Sequence, residues 1–190
     1  EVRAVVRERE EFVVNTDHGA CRARSLVVAT GGLSVPKIGA GPFGYRIAEQ
    51  FGLKIVPPRP ALVPLSFGPE TLARFGDLSG ISMDAEVSCN GGRFRENLLL
   101  THRGFSGPAI LQISSYWRAG DAINIDLLPC RDAEAWLLSE QSSRVQLNNL
   151  LAQALPKRFA QQWCEAHDAV KPLNQFPASA LRVLAHDLRH

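Results

Sequence analysis

The sequence predicts an α+β protein, and three observations predict it. Residues 1–30 and 61–130 carry short apolar runs bounded by Gly, Asn, Asp and Pro, the pattern of strands. From Asp132 onward the apolar spacing changes to the helical period. Between the two strand-rich regions, Pro57-Pro58-Arg59-Pro60 is a stiff connector of the kind that separates domains. The expected division is therefore 1–60, a mostly β part over 61–130, and a helical part over 131–190.

The elements follow in order. Val2, Val5 and Val6, then Phe12 to Val14, read as two strands, with a turn at Asp17-His18-Gly19 and a third run from Ala20. Ser25 to Thr30 is apolar on both faces, which predicts a buried parallel strand ending in Gly31-Gly32. Gly44 to Phe51 reads as a helix with Ile47, Ala48 and Phe51 on one face, capped by Gly52. Leu53 to Val56 reads as a further short strand.

In the middle region the expected strands are Ala61–Phe67, Ala85–Cys89, Gly92–Phe94, Leu98–Thr101 and Ala122–Leu128. Asn90-Gly91 suits a tight hairpin because both residues tolerate positive φ. Pro108 occupies a first helical position, and Ala109 to Tyr116 continues from it, with Ser106 placed to cap it. Helices are expected near 135–138, 145–155, 159–166 and 180–188, separated by Pro156, Pro172 and Pro177.

Composition narrows the function. The 190 residues carry 21 Lys+Arg and 19 Asp+Glu, for a net charge of +2, with charges of +3, −2 and +1 on the three parts. That excess is too small to imply a nucleic-acid or membrane partner. No apolar run approaches the roughly 18 residues of a membrane span, and the expected location is cytoplasmic. Cys21, Cys89, Cys130 and Cys164 show no C-x-x-C spacing, and reduced thiols without a metal site are expected. The chain opens on Glu1 inside a strand pattern and stops at His190 inside a helical one, which reads as a piece of a larger protein.

Three stretches could carry chemistry. Gly39-Ala40-Gly41-Pro42-Phe43-Gly44 matches G-x-G-x-x-G in letters, but it does not follow a strand directly and lacks an acid about 20 residues on. A dinucleotide fingerprint is therefore disfavoured. Val27 to Gly32 is a strand running into glycines, which exposes backbone at a sheet edge where ligands bind; the same residues would also serve a tight strand-to-loop turn. The third stretch, Leu100 to Pro108, holds His102, a potential proton donor because imidazole titrates near neutrality.

Taken together, Val28-Ala29-Thr30-Gly31-Gly32-Leu33-Ser34-Val35-Pro36, Gly44-Tyr45-Arg46-Ile47-Ala48, Pro60 to Leu65 and Thr101 to Leu111 resemble the BaiN/YhiN-type NAD(P)/FAD-dependent oxidoreductases. The resemblance implies a partial FAD-binding α/β segment, the middle of a split domain over 1–60. It also implies an inserted β-barrel-like domain over 61–130 with a small helical subdomain over 131–190. The function implied is hydride transfer between NAD(P)H, FAD and a small-molecule substrate, an organic acceptor such as a conjugated enone; the competing reading is an insert or interaction module without catalysis or its own FAD binding. Ala29, Thr30, Gly31 and Gly32 would contact the flavin, with Ser34, Pro36 and Gly44 shaping the loop beside it. His102 would be catalytic, and Thr101 and Ser106 would face the substrate cleft.

Overall fold

Met83, Ala85, Val87 and Cys89 are buried, whereas Asp84 between them is exposed and Glu86 and Ser88 are half-buried. This alternation commits one face of a strand to a core. In the computed structural model, which describes residues 1–190, that strand is at the heart of the second of two units, Glu1–Pro58 and Arg59–His190.

The first unit is a three-stranded antiparallel sheet and one helix. Strands β1 (Val2–Glu8), β2 (Glu11–Thr16) and β3 (Gly19–Ala23) form a meander in that order. Helix α1 (Phe43–Gln50) supplies Ile47, which is buried together with Val5 and Val13. Phe51 meets Phe12 edge to face at 5.6 Å, and the Gln50 amide donates to the Val5 carbonyl. Gly52, at φ 79°, ends the helix by donating to the Glu49 carbonyl.

The buried parallel strand expected over Ser25–Thr30 is absent. The segment belongs to no sheet, and Val27 is 85% exposed. A strand apolar on both faces needs neighbours on both edges, and the small meander offers it no ladder. The implied FAD-binding α/β segment is accordingly not formed by these residues. Leu53–Val56 likewise lies outside any strand.

The second unit confirms the α+β class. Strands β4 (Leu65–Ser66), β5 (Ser82–Cys89), β6 (Gly92–Thr101), β7 (Gly104–Ser106) and β8 (Asn124–Asp126) form one antiparallel sheet in the order β4-β7-β6-β5-β8, curled as a half-barrel. The β5–β6 turn is Asn90-Gly91 with φ of 47° and 81°, as the residue types require. β6 is one continuous ten-residue strand rather than two short ones, because Arg95, Glu96 and Asn97 pair with β5. Helix α2 (Pro69–Phe75) has no counterpart among the expected helices, although Pro69 in the first turn and Glu70 beside it are start signals.

Helix α3 (Pro108–Ile113) lies across β5 and β6 and buries Ala109, Ile110 and Ile113. Its N-cap is Gly107, at φ 90°, with no side-chain cap; Ser106 is the last residue of β7 instead. The cap position demands a left-handed backbone and close approach to Asn97, which only glycine supplies.

Helices α4 (Ala133–Ser139), α5 (Leu147–Leu151), α6 (Lys157–Ala166) and α7 (Ala178–Asp187) complete the unit, with α4 against α7 and α5 against α6. Asp132 caps α4 by accepting from the Ala135 amide. Leu137, Leu147, Leu151, Leu173, Leu181 and Leu188 are fully buried in a core shared with the sheet. The Leu127 amide donates to the Leu188 carbonyl, which ties β8 to the end of α7.

Candidate functional site

The segment before β4 is held in place by one hydroxyl. Ser114, buried near the end of α3, accepts from the Val63 amide at 3.0 Å and donates to the Leu111 carbonyl at 2.8 Å. On the other side of β4, the Phe67 amide donates to the Arg103 carbonyl, and Leu65 pairs with Phe105. Pro64, Leu65 and Ser66 therefore run between α3 and the β6–β7 turn.

Two adjoining concavities share Pro64, Leu65 and Ser66. The larger, about 760 Å³, is walled by Arg59, Val63, Ser114, Trp117 and Arg118. The smaller, about 410 Å³, is walled by Thr101, His102, Arg103, Gly104 and Ser106. Neither wall includes an Asp or Glu, and neither Arg59, Arg103 nor Arg118 has a carboxylate partner within ion-pair distance. The arrangement is a cationic groove with one aromatic wall.

The structure brings Thr101, His102 and Ser106 together in the smaller concavity. Thr101 spends its hydroxyl on its own turn: Oγ1 accepts from the Arg103 and Gly104 amides and donates to the Gly104 carbonyl. His102 is exposed at the tip of that turn.

The residues expected beside FAD belong to the first unit. Ala29, Thr30, Gly31, Ser34 and Pro36 are exposed and Gly32 is half-buried. A β-carbon at Gly31 would meet no atom within 4 Å, so these residues form no enclosed cradle. Within this unit they form no enclosed flavin cleft by themselves. Gly44 has a packing role: a β-carbon there would lie 3.2 Å from Val28 Cγ1 and 3.4 Å from Thr30 Oγ1.

Arg59, Trp117 and Arg118 are not legible as site residues in the sequence, for a physical reason. Residues 59–190 carry thirteen Lys+Arg and thirteen Asp+Glu, so their segregation is invisible in any net charge. The available signals are an Arg set among prolines in the connector and a Trp-Arg pair just past a helix.

A curled antiparallel sheet backed by a cluster of short helices defines the class of the second unit. Residues 59–190 match the family model described as HI0933-like protein barrel and H2TH domain, and the chain belongs to that family. It is 42% identical over 187 residues to the ribosomal RNA dihydrouridine synthase of Escherichia coli, covering 97% of this chain and 45% of that protein. It is 43% identical over 161 residues to the ribosomal RNA dihydrouridine synthase of Haemophilus influenzae, covering 83% of this chain and 40% of that one. The chain thus spans less than half the length of these curated relatives.

These findings correct three expectations. The resemblance to BaiN/YhiN-type oxidoreductases gives way to the HI0933-like family. Hydride transfer among NAD(P)H, FAD and a small organic acceptor gives way to relatives named for modifying ribosomal RNA, and the flavoprotein oxidoreductase description falls with it. The expectation of a small-molecule substrate and no nucleic-acid partner is overturned by the same names. The exclusion of nucleic acid rested on net charge, which averages over a surface that RNA would meet locally. No helix is long and apolar enough to cross a membrane.

Proposed function

We propose that a full-length protein carrying this chain converts uridine to dihydrouridine in ribosomal RNA, and that residues 59–190 contribute surface that meets the RNA. The observation that carries this reading is the 42% identity to the Escherichia coli enzyme along 187 residues. The carboxylate-free groove beside β4 supports it, because phosphate recognition requires cations left unneutralised by the protein itself.

Forming dihydrouridine saturates the C5–C6 double bond of uracil. One carbon takes a hydride from a two-electron donor, which is oxidised, and the other takes a proton. FAD, with NAD(P)H as its reductant, is a proposal about the full-length protein alone. His102 is proposed to face the RNA from the β6–β7 turn, with Arg103 beside it. The proposed location is the cytoplasm, which the bacterial relatives named for ribosomal RNA modification support.

The test is nucleoside mass spectrometry of ribosomal RNA from cells with and without the gene encoding this chain. Dihydrouridine that disappears on deletion and returns on re-expression supports the reading. An unchanged dihydrouridine content ends it.

A further inference from the structure

We propose that the groove along β4 binds a single-stranded segment of RNA, with phosphates against Arg59 and Arg118 at one end and Arg103 at the other, and a base stacked on Trp117. The inference rests on the ribosomal RNA reading and adds which face of the unit meets the RNA and in what conformation.

Cation availability selects this face. Elsewhere in the unit, Arg93, Arg95, Arg182 and Arg189 are paired with Glu86, Asp84, Glu134 and Asp126. Arg131 lies over Trp136 and Lys171 over Phe176, while Arg158 donates to the Asp77 carbonyl. Because a carbonyl leaves the charge uncancelled, seven cations have neither a carboxylate nor an aromatic partner: Arg59, Arg74, Arg103, Arg118, Arg144, Lys157 and Arg158. Three of these seven line the groove. The helices α4 to α7 retain Lys157 and Arg158, both at the start of α6, with Arg144 in the loop before α5. Arg118 donates to the Trp117 carbonyl at 3.1 Å, a neutral partner that orients the guanidinium without cancelling its charge.

Trp117 fits the stacking role. Its indole N–H donates to the Asp121 carbonyl at 2.9 Å, which fixes the ring, and the side chain is half-buried on the groove wall. Aromatic rings with a satisfied polar edge and an accessible face are what single-stranded nucleic acids stack upon. The requirement for single strands is chemical as well. Chemistry on a uracil ring needs the base out of its stack, and a single strand meets that condition at least cost. β4 is two residues long and is the edge of its sheet, so the groove floor has backbone free of ladder partners.

The experiment is fluorescence anisotropy of the 190-residue chain with a labelled uridine-containing single strand and with a duplex of equal length, across a salt series. The wild-type chain is expected to prefer the single strand. Arg59→Gln with Arg118→Gln keeps donors and removes both charges, and should flatten the log–log salt slope by roughly 0.7 for each phosphate left without its cation. Trp117→Leu should weaken single-strand binding about tenfold, the scale of removing one base stack. Arg144→Gln and Lys157→Gln should change little, and thermal melts confirm that each variant is folded. The inference is overturned if the wild-type chain does not prefer single strands, or if the groove variants retain affinity and slope. It is also overturned if Arg144→Gln or Lys157→Gln produces the loss instead. Dihydrouridine in cellular ribosomal RNA is measured independently, so this inference can fail while the enzymatic reading stands.

Discussion

Gly104 stands against Leu65 so closely that a β-carbon on it would lie 2.1 Å from the Leu65 carbonyl oxygen. Its φ of 151° is also one that L side chains avoid. The approach is backbone on both sides, and it is what lets the β6–β7 turn close onto β4 and shape the groove between them. Gly104→Ala should therefore cost about 2–3 kcal/mol. Gly92 provides the contrast, since a β-carbon there would meet the Tyr116 ring at 2.7 Å. Tyr116 is 42% exposed, so its ring can yield by rotating away from Phe94, and Gly92→Ala should cost less than Gly104→Ala, about 1–2 kcal/mol. Urea unfolding of both variants checks the order; equal costs would refute the distinction between backbone and side-chain obstruction.

Thr101 and His102 are neighbours with separable roles. Thr101→Ala removes the acceptor for two turn amides and should cost about 1 kcal/mol of stability. His102→Ala, at an exposed turn tip, should leave the unfolding free energy within about 0.5 kcal/mol. In a full-length protein, His102→Ala should lower dihydrouridine formation without changing stability. Unchanged formation would remove His102 from the site.

Asp126 joins the sheet to the end of α7. It is buried, accepts from the Leu128 amide at 2.8 Å and takes the Arg189 guanidinium at 2.9 Å. Asp126→Ala leaves both donors without their acceptor and should destabilise the unit by roughly 2–3 kcal/mol. Arg189→Ala should cost less, because Arg189 is partly exposed and Asp126 keeps the Leu128 amide. Chemical denaturation of the two variants decides whether this order holds.

Cys164 is fully buried on α6, and burial pushes its thiol up from 9.0 to about 12. The unfolded chain therefore releases this proton near pH 9 while the folded chain holds it. The stability tied to the protonated thiol is complete below about pH 9 and is lost progressively as the pH rises toward about 12, by a few kcal/mol in total. Cys164→Ala should flatten that alkaline decline in denaturation curves. In the native protein, thiol reagents should label exposed Cys21 and Cys130 and spare Cys89 and Cys164. Rapid native labelling of Cys164 would contradict its burial.

Much of the second unit is legible residue by residue. Asn90-Gly91 specifies its hairpin, Pro108 starts α3, and the apolar spacing after Asp132 places the four terminal helices. These are local decisions made by φ preferences and by side-chain periodicity. Ser25–Thr30 misleads because a run of apolar residues records only a gain from being covered, and says nothing about whether partner strands are at hand. The stretch 101–106 is recognisable as a candidate site, but its partners across β4 are not.

The α+β class, the tight turns and the helical end are written locally in the chain, since each depends on interactions within a few residues. Where the charge goes is settled only by folding. Thirteen bases against thirteen acids cancel over residues 59–190, yet the folded unit pairs six of those cations with carboxylates or aromatic rings and leaves Arg59, Arg103 and Arg118 without either around one groove. Coulomb attraction for a partner depends on spacing within about a Debye length, a distance set by the fold and absent from composition.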